Sequence, residues 1–506
     1  MANPQIIAAQ GAFSGGLNVS SDEGQLRPDE VRIAEDGRLT EYGGILRRGG
    51  TQRLHATALQ SGSPVLGGYS WQRVGVVQQL AVSNGILHTA TYNIPTTWTA
   101  QSGSMISNAR ARFAPFWDGA SEVCYVADGG LLNKWDGTTF STDLSGSPSV
   151  SLIAVHNNRL FGSGDTANPQ RLYASSLNDG DTLGDTSSGG VIADVRTFGQ
   201  QEITALLSLG DTLLIFHRRG ISAFTGYSQD DIAISSGTRG LSADVGTTAP
   251  DTCISVENVG YFLSDRGIYS VDTSRGVRSI SSKIEALIAT LDQTQFYRAF
   301  AVHNRPRREV LFYLPDIGVM AYNYRVDAWT GPWLGIYASA GMRSAWTAQD
   351  NTSPIVLFGA ADGFVRQTDT PNIWTDDVLS DGTGGSAYTL RFQCHRMYGA
   401  DRYAEKAWRY CYLTVNPRGT GNPTVAWITA TVTGVQTAAT TVADPPLWDT
   451  AVWNAFIWGG TGSTIGRAHL DGRGEFIDIQ IRDANSAESV YSRVETFGSY
   501  LARRVI

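Results

Sequence analysis

One phrase recurs along this chain: an alternating apolar run, a short polar turn closing on glycine, and a second alternating run. Its clearest copy is "VGYFLSDRGIYSVD" at 259–272. Tyr261 and Leu263 alternate with small or polar neighbours, so one face of a strand meets a core. The segment Ser264–Gly267 supplies the turn, with Gly267 free to take positive φ. Ile268, Ser270 and Asp272 then face one way, Tyr269 and Val271 the other. The phrase reads as a β-hairpin, which is marginal in water alone and must stack on something.

Copies of it turn at Gly85, Gly129, Gly220, Gly267, Gly318 and Gly363, at successive intervals of 44, 91, 47, 51 and 45 residues. The interval of 91 spans two periods, and near position 174 "NNRLFGSGDTANPQRLYASS" offers the same order with a longer, Pro-containing turn. An all-β unit repeating every ~40–50 residues is the signature of propeller blades, whose sheets pack radially because none buries both faces alone. The turns predict about seven blades over 30–375. A further unit, turning at Gly37, either closes the ring or sits apart from it.

The 56 Gly, 20 Tyr, 18 Phe and 13 Trp suit many short strands joined by tight turns, and eight Asp-Gly pairs mark such turns. One segment departs from the pattern. Ile284, Leu287, Ile288 and Leu291 recur with helical period, and Ser282 precedes Glu285 at capping-box spacing, which predicts one amphipathic helix over about 282–292. After blade seven the rhythm stops. Residues 376–385 read as a Gly/Asp/Ser linker, and strands without the propeller period follow over 386–506, predicting a small β-sandwich-like domain. Residues 1–29 are left as an N-terminal arm.

Four cysteines (Cys124, Cys253, Cys394, Cys411) make neither a disulfide framework nor a metal motif. The first residues lack a signal peptide's pattern, and no apolar run reaches membrane-spanning length, so no membrane insertion is expected. A formal charge of −8 argues against tight nucleic-acid binding by the whole surface. The basic clusters Arg47-Arg48, Arg218-Arg219, Arg305-Arg307-Arg308 and Arg503-Arg504 read as solvated turns or subunit contacts. The seven His are scattered, and no H-E-x-x-H, G-x-S-x-G or phosphate loop is present. Sialidase-type S-x-D-x-G-x-T-W repeats are missing too. No catalytic residue, cofactor or metal is assigned, and the chain is read as a non-enzyme.

The stretch from Phe13 to Leu54 opens Phe13, Gly15, Gly16, Leu17, Asn18. Pro28 and then Gly44, Ile45, Leu46, Arg47, Arg48 and Gly49 follow. With Ser-Lys-Ile-Glu at 282–285 and "YNYRVDAWTGPW" at 322–333, it resembles the tail nozzle or hub proteins of short-tailed bacteriophages. The resemblance implies a structural virion protein made in the host cytoplasm. It would form a homo-oligomeric, hexameric ring in the DNA-ejection channel, beside tail-tube or adaptor proteins and tail fibres, with DNA passing without specific binding. Candidate subunit contacts are then Phe13, Leu17, Asn18, Arg47, Arg48, Arg503 and Arg504. The other class open to such a chain is a carbohydrate-binding or glycan-hydrolysing propeller. The tryptophans at 427, 448, 453 and 458 serve either class, as core, interface anchors or receptor contacts.

Overall fold

The computed structural model describes residues 5–501, apart from 74, 92–96, 200, 227–228, 234–237, 275, 340, 350–352, 371, 418–421, 439–463 and 485–488. The chain is all-β, a seven-bladed propeller joined to a two-sheet β domain. Each blade is four antiparallel strands, in sequence order in blades 1 to 6, and the first strands are Val65–Arg73, Arg112–Trp117, Leu152–His156, Ile203–Leu209, Ile254–Val256, Phe300–Asn304 and Met342–Gln349. These seven touch one another in turn, the last meeting the first, so they surround the axis.

The repeated phrase is the second and third strand of each blade. In the first blade, Val76–Ser83 and Ile86–Ala90 pair with Ser83 opposite Ile86, leaving Asn84-Gly85 as a two-residue turn. Both turn residues have positive φ, 47° and 75°. That is the turn whose twist matches the flanking strands.

Seven hydrophobic clusters hold the ring, one at each junction between neighbouring blades. Gln78 and Gln79, adjacent on one strand and so on opposite faces, tie blade 1 to both neighbours. Gln78 accepts from the Trp135 indole of blade 2 at 2.9 Å, and Gln79 from Trp346 of blade 7 at 3.1 Å. Two buried N–H groups are thereby satisfied where an orphan costs ~1–3 kcal/mol.

Blade 7 is completed by an N-terminal strand: Thr51–Arg53 pairs with Val365–Thr368, closing the ring. The Gly37 unit sits apart. Glu30–Glu35 pairs with Leu390–Cys394, and Gly37–Leu39 with Ile45–Arg47, which joins Ser489–Tyr500. Strands of residues 30–47 thus belong to the sheets of the second domain rather than to a blade, a division different from the expected border at 30.

One sheet of that domain continues blade 6. It runs from Ala328–Trp333 through Glu30–Glu35, Leu390–Cys394, Ile477–Asp483 and Thr424–Thr429 to Thr433–Thr437. The other contains Thr464–Gly474, Lys406–Pro417 and Ser489–Tyr500, with Gln5–Gln10 paired to the last. A single apolar core, including Leu413, Val425, Ile479, Ile481 and Val494, lies between them and runs on into blades 5 and 6 through Trp329, Phe312 and Leu263.

The expected helix over 282–292 is shorter than its periodicity suggests. A 3-10 turn at Ser282–Ile284 leads into one α-turn, Glu285–Ile288, and a second 3-10 turn follows at Gln293–Arg298. The Asp292 carboxylate accepts from the Thr294 N–H and starts that new turn, ending the first. No Ser282–Glu285 capping box forms. The Ser20 hydroxyl of the N-terminal arm accepts instead from the Ala286 N–H at 3.2 Å.

Candidate functional site: the arginine seam between propeller and second domain

A buried guanidinium is tolerated only where carboxylates and hydrogen-bond acceptors replace its water. Arg38, Arg47, Arg48 and Arg366 are all 1% exposed or less, and they line the seam where blades 6 and 7 meet the second domain. The first three come from the second domain's short strands and the turn after them. Their carboxylate partners come mostly from the propeller side, some 300 residues later in the chain.

Arg48 is the centre. Its Nε donates to Asp36 at 2.7 Å, and its two Nη groups donate in parallel to the Asp376 carboxylate at 2.7 and 2.6 Å. The guanidinium lies 3.7 Å from the centre of the Tyr388 ring and 4.7 Å from that of Tyr337. Arg47 lies 4.0 Å from the same Tyr388 ring and donates to the Tyr388 carbonyl. The Tyr388 hydroxyl in turn donates to the Arg48 carbonyl. Burial works against the Arg48 charge, but Asp376, Tyr337 and Asp36 together outweigh it and hold its pKa well above the usual value. The Asp36 carboxyl is pushed up, by burial first and by Asp376 in addition, against the pull of Arg48.

Two further knots flank this one. Arg38 pairs with Asp369, stands 3.5 Å from Glu309 through Nε, and lies over the Trp333 ring at 4.4 Å. Burial raises the Glu309 pKa to about 7 even beside Arg38, because Asp369 already takes that charge and repels a second carboxylate. On the other side, Asp377 accepts from Arg53 at 2.7 Å and from Arg366 at 2.8 Å, and Arg366 also grips Asp362 at 2.9 and 2.6 Å. The seam therefore joins the closing strand of the ring, blades 6 and 7, and the second domain through three neighbouring polar knots.

The expected subunit contacts find their partners inside the chain. Phe13 is fully buried, edge-on to Phe392 at 5.4 Å between ring centres, and its N–H donates to the Gly43 carbonyl at 2.7 Å. A Cβ on Gly16 would come within 2.6 Å of the Trp329 carbonyl oxygen, so the arm packs where only glycine fits. Leu17 is 2% exposed. Asn18 donates to Glu30 at 2.9 Å, and its own oxygen accepts from the N–H groups of Ser20 and Ser21. Lys283, from the short helical turn, donates to the Gly15 carbonyl at 2.7 Å and pairs with Glu30 at 3.2 Å. Side chains this deep have no surface to offer a neighbour, so Phe13, Leu17, Asn18, Arg47 and Arg48 are corrected from subunit contacts to internal ties. Arg503, Arg504, Trp448, Trp453 and Trp458 lie outside the described residues.

Cys124, Cys253, Cys394 and Cys411 are free thiols, and burial pushes Cys411 up to about 12. His55 accepts from the Val365 N–H at 2.9 Å, and His217 sits between the Glu202 carbonyl and the Ser222 hydroxyl. Among the described residues no cluster of three His, Cys, Asp or Glu could hold a metal ion. A cleft of about 370 Å³ opens beside the short helical turn, lined by Asp265, Arg266, Tyr269, Glu285, Gln293 and Phe296 among others.

No protein-family model matches this sequence, and no curated protein matches it. Among solved structures, the chain is similar to the extracellular domain of a putative one-component system, BT4673, from B. thetaiotaomicron. The identity is 12% and the TM-score 0.43, over 63% of this chain and 40% of that one, so the match spans well under half of that protein. A streptogramin B lyase is similar at 10% identity and TM-score 0.43, over 65% of this chain and 99% of the lyase. At such identity and similarity, neither says anything of activity.

Proposed function

We propose that this chain is a structural, non-catalytic subunit of a bacteriophage tail, assembled with copies of itself into the nozzle ring of the DNA-ejection channel. The observation that carries the reading is the arginine seam. A conduit subunit must transmit load without its domains separating, and here the ring-closing strand and the second domain are held by neighbouring sets of ion pairs, through Asp377 and through Asp36 and Asp376. The nozzle-like opening motif supports the same reading. Its Phe13 packs on Phe392 of the second domain, its Gly16 against Trp329 of blade 6, and its Asn18 bonds Glu30, fastening the N-terminal arm in place.

On this reading the contacts between subunits fall on large side chains left in solvent, among them Tyr42 at 96% and Tyr403 at 71% exposure. Aromatic side chains are the usual anchors of such contacts. The ring is expected to be six-fold, to meet tail-tube or adaptor proteins and fibres, and to let DNA pass without binding it specifically. Negative-stain images of the purified chain test the proposal: annular particles are expected, and single globular particles at every concentration, with or without a tail-tube partner, contradict it.

A further inference from the structure

The mouth of the propeller's own axis carries a second cluster of charge, distinct from the seam. Arg110 and Arg112 enter blade 2, Asp251 precedes the first strand of blade 5, Arg298 precedes that of blade 6, and Arg343 is the second residue of the first strand of blade 7. All five therefore stand at one end of the axis, where the inner strands begin. Arg112 donates to Asp251 at 2.7 and 3.1 Å, and Arg110 pairs with the same carboxylate at 3.2 Å. Blades 2 and 5 are three apart in a ring of seven, so these bonds cross the axis. Arg110 also donates to the Arg298 carbonyl of blade 6 at 3.0 Å, and Arg112 to the Ser151 carbonyl of blade 3 at 2.6 Å.

One carboxylate thus serves two arginines, and two more arginines have none. Arg298 donates to the Gln295 side chain and Arg343 to its neighbour's carbonyl, each at 3.2 Å, and neither makes an ion pair among the described residues. Glu202, exposed just before the first strand of blade 4, and Asp316, exposed on a turn of blade 6, make no ion pair with the four among the described residues. Arg110, Arg112 and Asp251 keep only 16–20% of their side-chain surface in solvent. Four guanidinium groups at one end of the axis, with ion pairs to a single carboxylate, concentrate positive charge there. Burial lowers the Arg110 pKa, and Arg112, Arg343 and Arg298 lower it further against the pull of Asp251. In the seam Arg48 and Arg366 each hold two carboxylates; at the axial mouth the four arginines have ion pairs with one only, Asp251, among the described residues.

We propose that the axial mouth is a binding site for an oxyanion, a phosphate or carboxylate group of a ligand that enters from solvent and completes the charge of Arg110, Arg112, Arg298 and Arg343. Guanidinium forks suit such oxygens in parallel pairs. This goes beyond the assembly reading and does not depend on it.

The test uses the full chain and inorganic phosphate, titrated by calorimetry at constant ionic strength with chloride as the balancing anion. Saturable binding is expected, with a rise in melting temperature. The double variant R298Q/R343Q is expected to bind at least about tenfold more weakly and, without phosphate, to melt no lower than the parent, because it loses repulsion rather than a partner. R196Q, at an exposed arginine away from the mouth, leaves binding unchanged. D251N removes the competing carboxylate and tightens binding. Citrate in place of phosphate tells which oxyanion is preferred. Absence of saturable binding to either, or binding that R298Q/R343Q and D251N leave unmoved, overturns the proposal.

Discussion

At the scale of single residues, the seam turns on which charges are matched. Removing Arg48 strands two buried carboxylates, and breaking a buried pair from one side costs ~3–5 kcal/mol. Arg48→Ala is expected to lower unfolding stability by that amount in chemical denaturation; a loss below about 1 kcal/mol would mean the network is incidental. Glu309 behaves in the opposite sense. Its folded pKa of about 7 lies above its ordinary 4.5. The stability tied to its proton is therefore fully present below pH ~4.5 and is lost as pH rises toward 7. The buried histidines tilt the whole-protein profile the other way, His88 being pushed down to about 4 by burial. The clean readout is thus the difference between Glu309→Gln and the parent. The advantage of the variant is expected to grow by roughly 2–3 kcal/mol between pH 5 and pH 8, and a flat difference would refute the assignment. None of this was legible in the sequence. Arg47-Arg48 read as a solvated basic pair, because Asp369, Asp376 and Asp377 lie more than 300 positions away and nothing local marks them as partners.

Among elements, the repeat was legible and its seams were not. Strand period and turn glycines located the hairpins, including the irregular copy near 174, where Arg159–Ser163 and Arg171–Ala174 pair within blade 3. They could not reveal that a three-residue strand closes the ring, since Thr51–Arg53 is too short to show a period. Nor did helical spacing give the length of the segment after Ser281, because Asp292 offers a competing cap. The closing strand is held on both sides, by Val365–Thr368 and by residues 375–378, which accept the N–H groups of Thr51 and Arg53. Gln52→Pro removes a donor at its centre and is expected to cost roughly 2–3 kcal/mol. Loosening should appear first at the junction of blades 7 and 1, as faster hydrogen exchange there than at the junction of blades 3 and 4. Uniform exchange across the ring would show that closure does not depend on this strand.

For the whole molecule, the fold class followed from the period alone, whereas the division between domains did not. The N-terminal segment crosses into the second domain before it closes the propeller, so a boundary drawn in sequence order misplaces it. Phe13, Leu17 and Asn18 were noticed as a motif, but a motif does not say whether its residues face a neighbour or the chain's own core. The axial arginines escaped notice for a related reason: they are spread from 110 to 343, and only the ring brings them to one mouth. The central claim, that this chain is a ring-forming subunit, is met most directly by the mass of the purified protein in solution, measured by light scattering over a dilution series. The account predicts a fixed multiple of 54.5 kDa, alone or after addition of a tail-tube partner. A 54.5 kDa monomer that persists with every such partner contradicts it.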